Sequence, residues 1–164
     1  MRDRACKTRL PPPPLHARAS VSTAPEPTGL LQRNLRMLSG KVLMDRVAQN
    51  PHYLRDPDVQ TAEDQTTELM DRWHGRGRLG YSISPRLALT CTEDMLTMVA
   101  RLHRQQPDLW IQTHGAENPE EIKRVLDIYR AQDPSYRSYI DIYDRFGLLT
   151  DKIAVRALRA HRRH

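Results

Sequence analysis

Two short stretches of the 164-residue chain carry side chains suited to chemistry. His114 directly follows the apolar run Leu109-Trp110-Ile111-Gln112-Thr113, and Glu117 lies three residues further on. In parallel α/β folds functional groups gather at the C-terminal ends of strands. A neutral imidazole there can bind a divalent metal. A carboxylate beside a metal-bound water can take the water's proton and later hand it to a leaving group. Zinc lowers the pKa of its bound water to about 7, which supplies hydroxide at neutral pH. Spacing alone leaves His114 with two readings, a metal ligand or a structural strand-end residue. The second stretch is Pro85-Arg86, at the end of the run Leu79 to Ser84. Arg86 is either the holder of an anionic or carbonyl group or a surface arginine paired with an acid. A mononuclear zinc site takes about three protein ligands. The remaining histidines, His16, His52, His74, His103, His161 and His164, form no HxH or HExxH, and Cys6 and Cys91 form no CxxC.

These groups need elements to position them. Leu30, Leu31, Leu35 and Leu38 recur near helical spacing until Gly40, which predicts a helix there. Lys41 to Asp45 reads as a short strand. Residues 59–74 read as a helix with Ala62, Leu69, Met70 and Trp73 on one side, closed by Gly75 and Gly77. Leu79 to Ser84 is a second strand. Thr90-Cys91-Thr92-Glu93 matches a capping box, and Met95, Met98, Val99 and Leu102 form the stripe of the helix it would start. Pro107 closes that helix, and Leu109–Thr113 is a third strand. Asn118-Pro119-Glu120-Glu121 is a strong helix start, a capping Asn followed by Pro and two acids. A short helix is expected over 137–146 and a fourth strand over Lys152 to Val155. Alternation of strand and helix argues for a parallel sheet with right-handed crossovers. No GxGxxG or GxxxxGK[ST] follows any of these strands, so nucleotide binding has no motif behind it.

Composition narrows the setting. Mean hydropathy is −0.70, charged residues make up 28%, and no run of 18 apolar residues occurs, which excludes a spanning helix from the sequence given. The two cysteines and the absence of an export signal predict a soluble protein in the reducing cytoplasm. The net charge of +6 resides in the ends: residues 1–36 hold seven basic and two acidic residues, and residues 156–164 hold four arginines. The part between is mildly acidic, so the pI near 9.7 describes the tails. Solvated tails, with no specific nucleic acid and no membrane as partner, are the expected reading. Residues 1–29 contain six of the 12 prolines and no aromatic residue, and they read as a disordered Pro/Arg-rich tail. The division expected is a tail at 1–29, a folded part at 30–155 and a basic tail at 156–164.

Five segments resemble the guanine deaminases. They are Gly40-Lys41-Val42-Leu43-Met44-Asp45-Arg46, Trp73 to Tyr81, Ser84-Pro85-Arg86, Gln112-Thr113-His114-x-Ala116-Glu117-Asn118 and Tyr139-x-Asp141-x-Tyr143-Asp144-x-x-Gly147-Leu148. The resemblance covers about residues 30–152 and implies part of a metal-dependent amidohydrolase (β/α)8 barrel, about strands three to six with their helices. It implies hydrolysis of guanine to xanthine and ammonia by zinc-activated water. His114 would be a metal ligand, Glu117 the proton shuttle, and Arg86 the holder of the purine carbonyl. Leu87 stands where the family usually has a phenylalanine that stacks on the base. A homodimer is the family habit. The alternatives are another cyclic-amidine, purine or pyrimidine deaminase of the same superfamily, or a non-enzymatic fragment with basic tails. The family's HxH and the aspartate after its last strand are absent, and Ala157 occupies the place expected for a further His. This chain is therefore expected to be incomplete and inactive alone.

Overall fold

The computed structural model describes residues 31–156. The proline-rich segment 1–29, Leu30, Ala157 and His161 lie outside the described residues. The chain runs β1 (Met37–Ser39), β2 (Val42–Leu43), two single 3-10 turns (Val47–Gln49 and His52–Leu54), α1 (Val59–Trp73), β3 (Leu79–Pro85), α2 (Glu93–Gln105), β4 (Trp110–His114), α3 (Pro119–Arg130), α4 (Tyr139–Arg145) and β5 (Ile153–Arg156). Every strand pairing is parallel. The sheet order is β1-β3-β4-β5, and β2 also pairs with β3. The sheet is parallel, as the alternation predicts, and agrees with the partial barrel that the resemblance implies.

β1 and β2 occupy one strand position. Met37–Ser39 pairs with Leu79–Tyr81, and Val42 and Leu43 pair with Ser84 and Pro85. Gly40 sits between them against the β3 backbone: a Cβ placed on it would lie 1.7 Å from the Ser82 carbonyl oxygen. The helix expected over residues 30–38 does not form across Met37–Ser39. Asn34 adopts φ 51° in a turn whose N–H donates to the Leu31 carbonyl (3.0 Å), and the chain then enters the sheet. Asn visits the left-handed region more readily than most residues. Leu35, counted in the apolar stripe, is 45% exposed.

The core lies between the sheet and its helices. Tyr81 and Ile83 of β3 and Ile111 and Thr113 of β4 are buried, and the alternate residues Ser84, Trp110, Gln112 and His114 are only half-buried. That period of two places His114 on the face opposite Ile111 and Thr113. Helix α2 buries Met95, Leu96, Met98, Val99 and Leu102. Each fully buried side chain such as Ile83 or Leu96 contributes ~1.5–3 kcal/mol. The capping box expected at Thr90 is displaced by two residues. Thr92 caps α2, its hydroxyl accepting from Met95 N–H (3.2 Å), and the Asp45 carboxylate in turn accepts from Thr92 N–H (2.7 Å). Thr90 belongs to the preceding turn, its N–H donating to the Leu87 carbonyl (3.0 Å). Asn118 caps α3 as its sequence predicts, accepting from Glu121 N–H (2.8 Å) with Pro119 opening the helix.

Candidate functional site

The ends of β3 and β4 meet at one carbonyl group. His114 N–H donates to the Arg86 carbonyl (3.1 Å), and its ring Nδ1–H donates to the same oxygen (3.2 Å). The Thr113 hydroxyl adds a third donor (3.3 Å). A carbonyl only accepts, so the proton of the neutral imidazole sits on Nδ1 and the lone pair on Nε2. Nε2 is then the nitrogen free to bind a cation or accept a proton. Arg86 itself is anchored from the other side, its N–H donating to the Leu43 carbonyl of β2 (3.0 Å). Its guanidinium is exposed, with Nη1 near the Met44 sulfur (3.9 Å). Met44 is fixed in turn by Asp56, whose carboxylate accepts its N–H (2.9 Å) and forms a buried ion pair with Lys41.

Between His114 and Glu117 the backbone is tightly constrained. Gly115 is buried, with the Tyr139 ring 3.0 Å from where its Cβ would stand. Ala116 has φ 55°, a left-handed conformation that L-residues other than Asn and Asp adopt at a cost. Glu117 emerges half-buried immediately before the Asn118 cap. A cavity of about 360 Å³ opens beside this turn, lined in part by Arg86, Leu87, Asn118, Glu121 and Arg124. Arg86 and Leu87 thus face one hollow together; His114 joins Arg86 through the shared carbonyl, and neither it nor Glu117 lines that cavity.

Two buried tyrosines hold this layer together and were not singled out from the sequence as site residues. The Tyr143 hydroxyl donates to the His114 carbonyl (2.6 Å), accepts from Ala88 N–H (3.1 Å) and lies 3.0 Å from the Thr113 hydroxyl. The Tyr129 hydroxyl donates to the Ala88 carbonyl (3.3 Å) and receives the Arg46 guanidinium (3.4 Å). Burial pushes the Tyr143 phenol up to about 12 and Tyr129 higher still, so both remain neutral donors at physiological pH. Tyr143 appears in the segment Tyr139-x-Asp141-x-Tyr143, but its hydroxyl partners lie 29 to 55 residues upstream, beyond any local spacing rule.

Among the described residues no three His, Cys, Asp or Glu side chains gather to hold a metal ion. His114, with Nε2 free, is a single ligand where a catalytic zinc takes about three. The described residues therefore do not form a zinc site by themselves.

His114 ends β4, Glu117 follows it, and Arg86 follows the neighbouring β3 in one parallel sheet. The chain belongs to the amidohydrolase family, whose model matches residues 24–158. It is similar to the guanine deaminase of Escherichia coli K12, with 43% identity over 115 residues, which are 70% of this chain and 25% of that protein. It is also similar to a probable guanine deaminase of Deinococcus radiodurans, with 36% identity over 80% of this chain and 28% of that protein. The solved structure of the E. coli guanine deaminase superposes with a TM-score of 0.69 at 37% identity, over 78% of this chain and 29% of the other. The chain thus spans about a quarter of the length of the curated relatives it matches.

Proposed function

We propose that this chain supplies part of a guanine deaminase active site, for hydrolysis of guanine to xanthine and ammonia. One observation carries the proposal: Arg86 and His114 end neighbouring strands and share a single carbonyl, with Arg86 and Leu87 beside a hollow. The relatives named guanine deaminase support the choice of substrate. Arg86 would donate to the purine carbonyl, since a guanidinium offers several N–H donors in a fixed fork. Leu87 would supply an apolar contact to the base. Glu117 would carry a proton between water and the departing amine. His114 would present Nε2 to the zinc ion that the family resemblance calls for. Activation of water is not assigned to these residues, because one histidine does not hold the ion. The same reading carries a cytoplasmic location and a homodimer.

Leu87 favours a second reading, another cyclic-amidine deaminase of the superfamily, because leucine contacts a base without an aromatic face to stack on it. Amide and ring NMR shifts of the ¹⁵N-labelled chain, titrated with guanine and separately with cytosine, distinguish the two. Guanine is expected to move Arg86, Leu87 and His114 signals, and Arg86→Ala to abolish the response. Guanine-independent spectra, or a stronger response to cytosine, would refute the assignment. The purified chain is expected to hold well under one tightly bound zinc ion.

A further inference from the structure

We propose that Tyr143 is a positioning residue for the candidate site: its hydroxyl sets the separation between the Arg86–Ala88 segment after β3 and the His114 end of β4. The inference rests on the functional reading of Arg86 and His114 given above. Its basis is geometric. One oxygen donates to the His114 carbonyl (2.6 Å) and accepts from the Ala88 N–H (3.1 Å), with the Thr113 hydroxyl at 3.0 Å. These partners belong to two different strand ends, and Tyr143 reaches them from α4. The peptide of Ala88 is held from both sides, its N–H by Tyr143 and its carbonyl by Tyr129 (3.3 Å). Ala88 is two residues from Arg86, so this pin fixes the segment that presents the guanidinium.

A consequence follows for the imidazole. The Nδ1–H of His114 donates to the Arg86 carbonyl at 3.2 Å, and this bond favours the proton on that nitrogen. If the Arg86–Ala88 segment drifts from β4, this hydrogen bond lengthens and the proton redistributes between the ring nitrogens. Tyr143 therefore acts on the ligand nitrogen without touching it, as a group that orients a ligand from behind. A hydroxyl that served only packing would have no such reach. Tyr139 provides the contrast. It lies one turn earlier on α4, its ring packs edge-to-face on that of Tyr143 at 5.7 Å, and its buried hydroxyl, near Tyr143 and Glu121, makes no hydrogen bond to either strand end.

The test compares Tyr143→Phe with Tyr139→Phe in the full ¹⁵N-labelled chain at one fixed pH. Two signals are read, hydrogen exchange at the Ala88 amide and the ¹⁵N shifts of the His114 ring. Tyr143→Phe is expected to raise Ala88 exchange by at least about tenfold and to move the His114 ring shifts away from the Nδ1–H form. Tyr139→Phe is expected to leave both in place. Unchanged signals in Tyr143→Phe, a change in only one of them, or equal changes in both variants would overturn the proposal. If Tyr143→Phe does not fold, the wild-type chain decides. A Tyr143 hydroxyl proton in slow exchange with cross-peaks to Ala88 and Thr113 supports the role, and its absence overturns it. Guanine takes no part in these measurements, so they separate failure of the positioning role from failure of the functional reading.

Discussion

Replacing Gly40 by alanine tests the link between the broken edge strand and the site. The added methyl would stand 1.7 Å from the Ser82 carbonyl oxygen, against backbone and not the tip of a mobile side chain. Real Cβ atoms essentially never come within 3.0 Å of such an atom, so the two strands must part by more than 1 Å. Overpacking costs roughly 1–3 kcal/mol where side chains can yield, and a clash with a paired strand belongs at the top of that range. Gly40→Ala is expected to lose about 3 kcal/mol in urea unfolding and to lower Tm by roughly 10 °C. The shift should also reach Leu43, whose carbonyl accepts the Arg86 N–H (3.0 Å), so the Arg86 amide should exchange faster. Gly75→Ala serves as the control. Gly75 has φ +76° with nothing within 4 Å of an added Cβ, so only conformational strain of about 1–2 kcal/mol applies. A Gly40→Ala chain within about 0.5 kcal/mol of wild type, with normal Arg86 exchange, would show that β1 and β2 do not approach β3 as described.

Two further outcomes are expected. Hydrogen bonds from the Arg137 backbone and guanidinium hold the Asp141 carboxyl below its usual range. A carboxylate favoured by the folded state stabilises above the ordinary carboxylate pKa, and that stabilisation is lost as pH falls through the lower folded-state value. The gap in urea midpoint between wild type and Asp141→Asn should therefore be present at neutral pH and close below about pH 4; a gap of constant size across that window refutes the pairing. Burial, with Asp45 nearby, pushes the Cys91 thiol up to about 12. Peptide mapping after iodoacetamide treatment at pH 8 should find Cys91 unmodified in the folded chain and modified in urea, whereas rapid native labelling contradicts its burial.

Much of the architecture was legible because it is written locally. Asn118-Pro119 starts α3 where capping chemistry requires, and the apolar runs before Pro85 and His114 are strands. The failures share a cause. Leu31, Leu35 and Leu38 keep helical spacing, yet Met37–Ser39 is claimed by pairing with Leu79–Tyr81, a partner about 40 residues away. Sheet pairing routinely overrides a short periodic signal. Gly40 looks like a helix breaker in one dimension and proves in three to lie against the Ser82 carbonyl, with no room for a Cβ. Thr90 and Thr92, two residues apart, compete for one cap, and Asp45, 47 residues from Thr92, favours the second. The site divides in the same way. Arg86 and His114 stand out in the sequence as candidates because they lie at strand ends, and Leu87 only through the resemblance to the guanine deaminases. Tyr129 and Tyr143 do not, since nothing near them in sequence shows that their hydroxyls meet at Ala88.

The two-sided grip on Ala88 also bears on how this region tolerates change over time. The restraint is applied through main-chain atoms, from helices behind the sheet, while the neighbouring Leu87 side chain faces the hollow. Substitution at 87 therefore changes the lining of the hollow and leaves the grip intact. Under the function proposed above, such a division of labour would let selectivity change one residue at a time on an unchanged scaffold.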